Sequence, residues 1–293
     1  MLTYPPFPKF IDSTGVDDYR TCPRKYLYNS LRGLAPEIPS VHLVAGGAFA
    51  KGLEVARGAF WKDHLPPEDA LAKGALALIK EYGDPVPYED HKKNLPKTLD
   101  ALSAYFEHFG WEEDYITPFE NSFEGTFALP LPIHHPQTND PLIYTGRCDL
   151  IGQFQDNIWI VDEKTTGSVS ASWSRSFGVR GQLIGYCYAA REMDLPVAGA
   201  IVRGIAFTKD FSFAEVICPY GNWQLEEWMD NLLITAQQMI DDWMMCKWRK
   251  VLGSACGFYG GCSFIEACQS KHPEGILESI FVERKWDPLS PSA

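Results

Sequence analysis

The stretch IVDEKTT (Ile160–Thr166) places Asp, Glu and Lys in a row inside a run that is otherwise strongly β-forming. Side chains on a strand alternate between its two faces. Ile158, Ile160, Asp162 and Lys164 therefore share one face, and Trp159, Val161 and Glu163 share the other. An acid and an amine two residues apart at the end of an apolar strand fit a salt-bridged strand end. They also fit half of an active site.

The residues upstream bear on that choice. ENSFEGTFALPLPI, LIYTGRCDLIGQF and NIWIVDEKTT read as three strands joined by turns, and Gln155, Asp156 and Asn157 predict a hairpin between the second and third. With the turn centred on Gln155 and Asp156, Asp149 lies opposite Asp162. Centred on Asp156 and Asn157, the turn puts Ile151 there and makes Asp149 a diagonal neighbour. Both registers turn Asp149, Asp162 and Lys164 to one side. Two carboxylates that close repel each other, and a divalent cation resolves the conflict. All-oxygen ligation suits Mg²⁺ or Mn²⁺. A cation of this kind acidifies bound water, and a neighbouring ammonium orients that water and stabilises developing negative charge, as hydrolysis of a phosphodiester requires. Further on, VRGQLIGYCYAAREM places Gln182 and Tyr186 on one helical face.

At 293 residues the chain has room for one large domain or two smaller ones. Its formal net charge of −12 argues against a protein that coats nucleic acid non-specifically, and is neutral for a metal-dependent nuclease. No apolar run has the length of a membrane span, and MLTYPPFPKF lacks the form of a signal peptide, so a cytoplasmic protein is expected. Helices are predicted from Ser13 or Thr14, over AGGAFAKGLEVARGAFW, over Glu68–Tyr82, Lys97–Phe109 and Phe177–Arg191, and over Trp223–Trp248. GAIVRGIAFTKD and SFAEVICPY read as two more strands. The expectation is an α/β (α+β) fold with a mixed central sheet flanked by helices. The parts are a helical region 1–115, a core 116–222, and a long helix with a Cys-rich tail 223–293, in one compact unit.

YTGRCDLIG, IVDEKTT and GQLIGYCYAA together resemble the PD-(D/E)XK nuclease superfamily in its RecB-like exonuclease branch. The family pattern is G-x-x-D, then an apolar residue with D-x-K-T, then Q-x-x-x-Y. It matches at Gly146 and Asp149, at Asp162, Lys164 and Thr165, and at Gln182 and Tyr186. The resemblance implies a restriction-endonuclease-like core in which Asp149 and Asp162 bind Mg²⁺ or Mn²⁺ and Lys164 positions the water. Gln182 and Tyr186 then line the site. One departure stands out. Many RecB-like members carry a metal-binding His in an early helix, and here AGGAFAKGLE aligns Ala50 with it and Glu54 with the acidic position that follows. The early carboxylate is then Glu54 alone, or Glu120 contributes from the first strand.

Eight cysteines are present. Cys148, Cys187, Cys218 and Cys246 sit among apolar residues and read as buried small hydrophobes. Cys256, Cys262 and Cys268 follow one another at even spacing in a Gly-rich tail with Gly257, Gly260 and Gly261, and Cys22 in RTCPRKYLY is the best source of a fourth thiolate. Four thiolates hold zinc or an iron–sulfur cluster, and residue types do not separate these. The resemblance implies a [4Fe-4S] cluster, as in helicase–nuclease, CRISPR-associated and phage-type members, with zinc as the fallback. The tail spacing is that of the phage type, which would place the protein in a host cytoplasm.

The expected substrate is DNA, as single strands or duplex ends. Arg24, Lys25, Arg147, Arg175 and Arg180 are candidate phosphate contacts, Tyr26, Trp173 and Phe177 candidate stacking residues, and Thr165, Thr166 and Ser168 candidate backbone contacts. A metal-dependent exonuclease of recombination, repair or processing is the leading reading. The alternatives are a CRISPR-adaptation-type nuclease trimming ends with protein partners, and a decayed DNA-binding scaffold. Polarity and homo-oligomerisation stay open.

Overall fold

A computed structural model describes residues 5–122, 125–257 and 261–284. The chain runs β1 (Phe10–Ile11), α1 (Ser13–Thr21), α2 (Pro23–Tyr26), β2 (Leu34–Pro36), α3 (Val41–Arg57), α4 (Pro67–Tyr82), α5 (Leu95–Phe109), β3 (Thr117–Pro118), β4 (Gly125–His134), β5 (Pro141–Cys148), β6 (Leu150–Phe154) and β7 (Asn157–Thr166). It continues through α6 (Ala171–Arg175), α7 (Gly181–Glu192), β8 (Val197–Ala206), β9 (Ser212–Pro219), α8 (Asn222–Met244), α9 (Ile265–Gln269), α10 (Pro273–Ile280) and β10 (Phe281–Glu283). The fold is mixed α/β, as expected. Among the described residues no helix is long and apolar enough to cross a membrane.

The chain divides into two compact units. The larger comprises residues 40–127 and 147–225 and holds a five-stranded sheet in the order β3-β6-β7-β8-β9. β7 lies at its centre, antiparallel to β6 and parallel to β8. Phe154 pairs with Asn157 and Leu150 with Val161, which selects the hairpin centred on Gln155 and Asp156. Both turn residues have positive φ, 48° and 59°, the signature of a two-residue type I′ turn matched to strand twist.

Each face of β7 has its own cover. Trp159 and Val161 pack with Ile116, Leu150 and Ile201. On β8, Ile205 joins a cluster with Phe49 and Leu53 of α3, Leu78 of α4 and Leu102 and Tyr105 of α5. The opposite face meets α6 and α7, where Trp173 lies over Gly204 so closely that a Cβ there would stand 2.3 Å from the indole. α3 and α4 also cross tightly. A Cβ on Gly74 would lie 2.6 Å from the Gly52 carbonyl oxygen and 2.7 Å from the Ala56 Cβ.

The smaller unit, residues 5–39, 128–146 and 226–284 as described, joins the first helices to the long α8. Tyr19 donates to Asp242 at 2.7 Å, and Arg20 to Thr235 at 3.1 Å. Trp228, Leu232, Ala236 and Ile240 form the buried stripe expected of α8.

Several local expectations differ from what is observed. Asp12, not Ser13 or Thr14, caps α1, because its carboxylate accepts the Gly15 N–H. Arg180 is extended, so the helix read as Phe177–Arg191 starts at Gly181 after a separate 3₁₀ turn at Ser176–Val179. α8 stops at Met244, the chain turns at a left-handed Cys246, and that thiol is exposed where burial was expected. LIYTGRCDLIGQF was read as one strand, but it breaks at Asp149 into β5 and β6, which belong to different sheets. Phe123 and Glu124 of the first predicted strand lie outside the described residues.

The Gly52–Gly74 crossing yields a test. Gly74→Ala should lower stability by roughly 1–3 kcal/mol, the cost of overpacking, although alanine is the better helix former. A urea-unfolding midpoint equal to or above that of the wild type would refute the close approach.

Candidate active site

β7 carries charge on both faces while almost wholly buried. Asp162 is 2% exposed and Glu163 8%. On one face the Lys164 ammonium lies 2.8 Å from Asp162 Oδ1, in a hydrogen bond, and 2.6 Å from Oδ2. Oδ2 is buried and takes no hydrogen bond of its own among the described residues. Asp149, opposite Asp162 in the register, stands where β5 gives way to β6. Its Oδ2 accepts the Glu163 N–H at 2.8 Å, so a side chain supplies the bond that a continued ladder would have made.

The electrostatics follow from burial and crowding. Burial first, then the facing Asp162 and Glu163, push the Asp149 carboxyl up to about 8. Burial also raises Asp162, against the pull of Lys164. Burial alone would lower Lys164, but Asp162 and Asp149 outweigh it and hold the ammonium above its ordinary range. Two desolvated carboxylates form an oxygen donor set that fits a hard divalent cation, and the Lys164 ammonium sits against both oxygens of Asp162. Among the described residues no group of three or more His, Cys, Asp or Glu side chains is gathered closely enough to hold a metal ion.

On the other face Glu163 turns toward α3 and α5. Arg57 of α3 forms an ion pair with its Oε1, and Tyr105 of α5 donates to the same oxygen at 3.3 Å. Arg57 also donates to the Tyr105 hydroxyl at 2.7 Å. Beyond Tyr105, Arg203 of β8 grips Asp114 with two hydrogen bonds of 2.6 and 2.7 Å and Glu215 with one of 2.9 Å. Nothing in the spacing of Arg57, Asp114 and Arg203 signals this network; alternation alone marks Glu163 as facing away from Asp162.

The structure brings the expected residues together in groups. Glu54 and Asp149 line one cavity of about 110 Å³ with Glu163, Lys51, Arg57 and Arg147. Glu54 is ion-paired to Lys51 at 3.2 Å, and Ala50, at the position of the family's histidine, is also in the lining. Asp162 and Lys164 are not part of that lining. Glu120, at φ 46°, lines a different cavity of about 240 Å³ with Tyr186, Cys148 and Ile160, so it is not gathered with Glu54. Gln182 donates to the Tyr186 hydroxyl at 2.9 Å, the expected (i, i+4) contact. Arg180, exposed at the start of α7, is near enough to Asp162 to lower its pKa.

Two expected stacking residues are core. Tyr26 is 1% exposed, packed on Tyr19 and Trp248, and Phe177 is buried edge-on to Trp173. In the smaller unit Arg24 is occupied in structure, donating to the Trp248 carbonyl at 2.9 Å. The segment 249–251 lies beside two of the four cysteines. The Val251 N–H donates to Cys22 Sγ at 3.5 Å, and Cys256 Sγ donates to the Val251 carbonyl at 3.8 Å. Burial raises the Cys268 thiol, with Cys262 and Cys22 adding to the shift and Lys250 opposing it. Gly260 of the tail lies outside the described residues.

Comparisons with known proteins bear on the family and the fold. The sequence profile of the PD-(D/E)XK nuclease superfamily matches residues 13–269. No curated protein matches the chain. Among solved structures, a candidate exonuclease from Eubacterium rectale superposes with a TM-score of 0.50 at 13% identity, covering 85% of this chain and 87% of that one. The structure of SSO0001 gives a TM-score of 0.32 at 13% identity, covering 83% and 79%, a likeness that carries no argument.

The raised Asp149 carboxyl sets a pH dependence. The folded protein holds a proton there that the unfolded chain releases near 3.8, so its contribution to stability falls as pH rises from about 4 to about 8. Asp149→Asn should therefore melt higher than metal-free wild type at pH 8 to 9, with the gap closing toward pH 4. A variant that melts lower at every pH would contradict the repulsion described. On the other face, Arg57→Ala should cost about 3–5 kcal/mol by stranding Glu163 in the core, measurable by urea unfolding.

Proposed function

The chain belongs to the PD-(D/E)XK nuclease superfamily, and we propose that it is a metal-dependent exonuclease that hydrolyses phosphodiester bonds at DNA ends. Within the superfamily we place it in the RecB-like branch, as a phage-type member. The observation that carries the reading is the buried Asp162 beside Lys164 on β7, faced by Asp149 at the break between β5 and β6. Intact acids and amine disfavour a decayed scaffold.

Asp149 and Asp162 would hold the cation, with Glu54 reaching the same cavity as Asp149. Mg²⁺ or Mn²⁺ bound there would acidify a coordinated water and offset charge on the phosphate. Lys164, kept protonated by the acids beside it, orients the attacking oxygen and stabilises the negative charge that grows on the phosphoryl oxygens. The Gln182–Tyr186 pair presents an amide and a phenol on one face of α7. Arg147 in the acidic cavity, Arg180 at the start of α7 and Thr165 at the end of β7 are the favoured strand contacts.

We further propose that Cys22, Cys256, Cys262 and Cys268 hold a [4Fe-4S] cluster, with zinc as the alternative. Cys22 and Cys256 both approach segment 249–251, which brings these two toward one place; among the described residues the four thiols are not gathered into one group. Joining Cys22 to a tail more than two hundred residues away would restrict the unfolded chain strongly, so the role is that of a structural staple.

Anaerobically purified protein should release short products from the ends of 5′- or 3′-labelled strands in Mg²⁺ or Mn²⁺. Asp162→Ala and Lys164→Ala should each slow this by about 10²-fold or more. Equal cleavage by wild type and Asp162→Ala would overturn the assignment. Cys22→Ala should lose bound iron, sulfide and solubility together; a soluble variant with full iron and sulfide would sink the cluster.

A further inference from the structure

Lys93 is 3% exposed, and no carboxylate pairs with it among the described residues. Burying an unpaired ammonium is costly, so the surroundings must offer something in return. What they offer is partial. The ammonium donates to Thr165 Oγ1 at 2.9 Å and sits 5.0 Å from the centre of the Phe207 ring. An ammonium has three donors, and among the described residues one acceptor, the Thr165 hydroxyl, is in place.

Two histidines stand beside it. His91 Nδ1 accepts the Lys93 backbone N–H at 3.1 Å, which fixes the neutral ring's proton on Nε2 and makes that nitrogen a donor. The His42 ring meets His91 edge-on at 5.3 Å. Burial pulls Lys93 down to about 8, and burial, Lys93 and His91 in turn lower His42. The cluster gathers ring and hydroxyl groups around one ammonium in a protein of net charge −12.

Its position gives it a use. Thr165 follows Lys164 on β7 and, by alternation, shares the face of Glu163, which lines the acidic cavity. α3 carries His42 near its start and Glu54 of the acidic cavity further along. Between them come Gly46, where a Cβ would lie 3.5 Å from Thr165 Oγ1, and Gly47, where a Cβ would meet nothing within 4 Å and which itself lines the cavity. Gly46 thus packs against Thr165 of the cluster, and Gly47 leaves open space between the cluster and the acidic cavity.

We propose that Lys93, Thr165, His91 and His42 form a phosphate subsite that holds the backbone of the substrate strand one step from the carboxylates. The subsite deepens the nuclease reading and rests on it for the identity of the strand. Lys93 supplies the charge, His91 a ring N–H, and Gly47 the clearance.

The test uses full-length protein carrying Asp162→Ala, so that no cleavage intervenes. Binding of a fluorescent single-stranded oligonucleotide is followed by anisotropy across a salt series. Adding Lys93→Met should weaken binding about tenfold and flatten the plot of log K against log salt by about 0.7, one lost phosphate contact on a single strand. Melting should be no lower, since an unpaired buried charge has been removed, and Lys93→Arg should keep the salt slope. Unchanged affinity and slope in Lys93→Met overturn the subsite. Should that variant fail to fold, His91→Ala and Thr165→Val decide, and wild-type affinity in both overturns it. Wild-type protein that cleaves no DNA yet loses the salt slope on Lys93→Met would refute the nuclease reading and leave the subsite standing.

Discussion

The Arg57–Glu163 ion pair is the constraint on which the site depends. A central strand buried on both faces cannot present Asp, Glu and Lys in succession unless each charge is answered on its own side. Glu163 is answered by a guanidinium and a phenol from two helices, and that contact sets the rotation of β7 about its axis. With Glu163 anchored, alternation forces Asp162 and Lys164 to the α7 side. Arg57 lies one helical turn beyond Glu54, so the same ion pair fixes how far the early carboxylate of α3 stands from the strand. Arg203, Asp114 and Glu215 extend the brace to β8 and β9, and rigidity in this layer is what a strained pair of acids on the other requires.

Asp149 shows how a local break serves the same end. An acid inside a continuous ladder would have its position set by the backbone of its strand. Here the chain leaves one sheet and enters another at that residue, and the carboxylate takes over a backbone donor of β7. The side chain is thereby tethered at the point of greatest repulsion, where Asp162 and Glu163 both oppose its ionisation. Tethering through one oxygen leaves the other to meet a cation.

What the sequence disclosed follows the range of each signal. Two-residue alternation shows which of Asp162, Glu163 and Lys164 share a face, and the Gln155–Asp156 turn is among the registers it allows, because both are local backbone properties. The (i, i+4) pairing of Gln182 with Tyr186 is local too. The break at Asp149 was hidden, since an apolar run that changes sheets looks the same as one that does not. Arg57, Arg203 and Lys93 were hidden for a different reason. Their partners lie far away in sequence, and a charged residue, whether in a helix like Arg57, a strand like Arg203 or a loop like Lys93, reads as solvated until its tertiary neighbours are known. Cys246 failed as a buried cysteine because apolar neighbours in sequence were neighbours past the end of a helix.

The overall charge and the local charges act at different ranges. At physiological ionic strength the field of an exposed charge is screened over roughly 8 Å, so a net charge of −12 discourages loose adhesion without reaching into a partly buried site. Inside, α3 carries His42 of the cluster around Lys93 at its start and lines the acidic cavity further along, with the open Gly47 between them. A polyanion is attracted at the cluster and repelled at the cavity until the carboxylates are neutralised. On the proposed reading, affinity for a strand is then tied to neutralisation of the cavity's carboxylates, so a protein with little attraction for a polyanion elsewhere would grip it only beside that cavity.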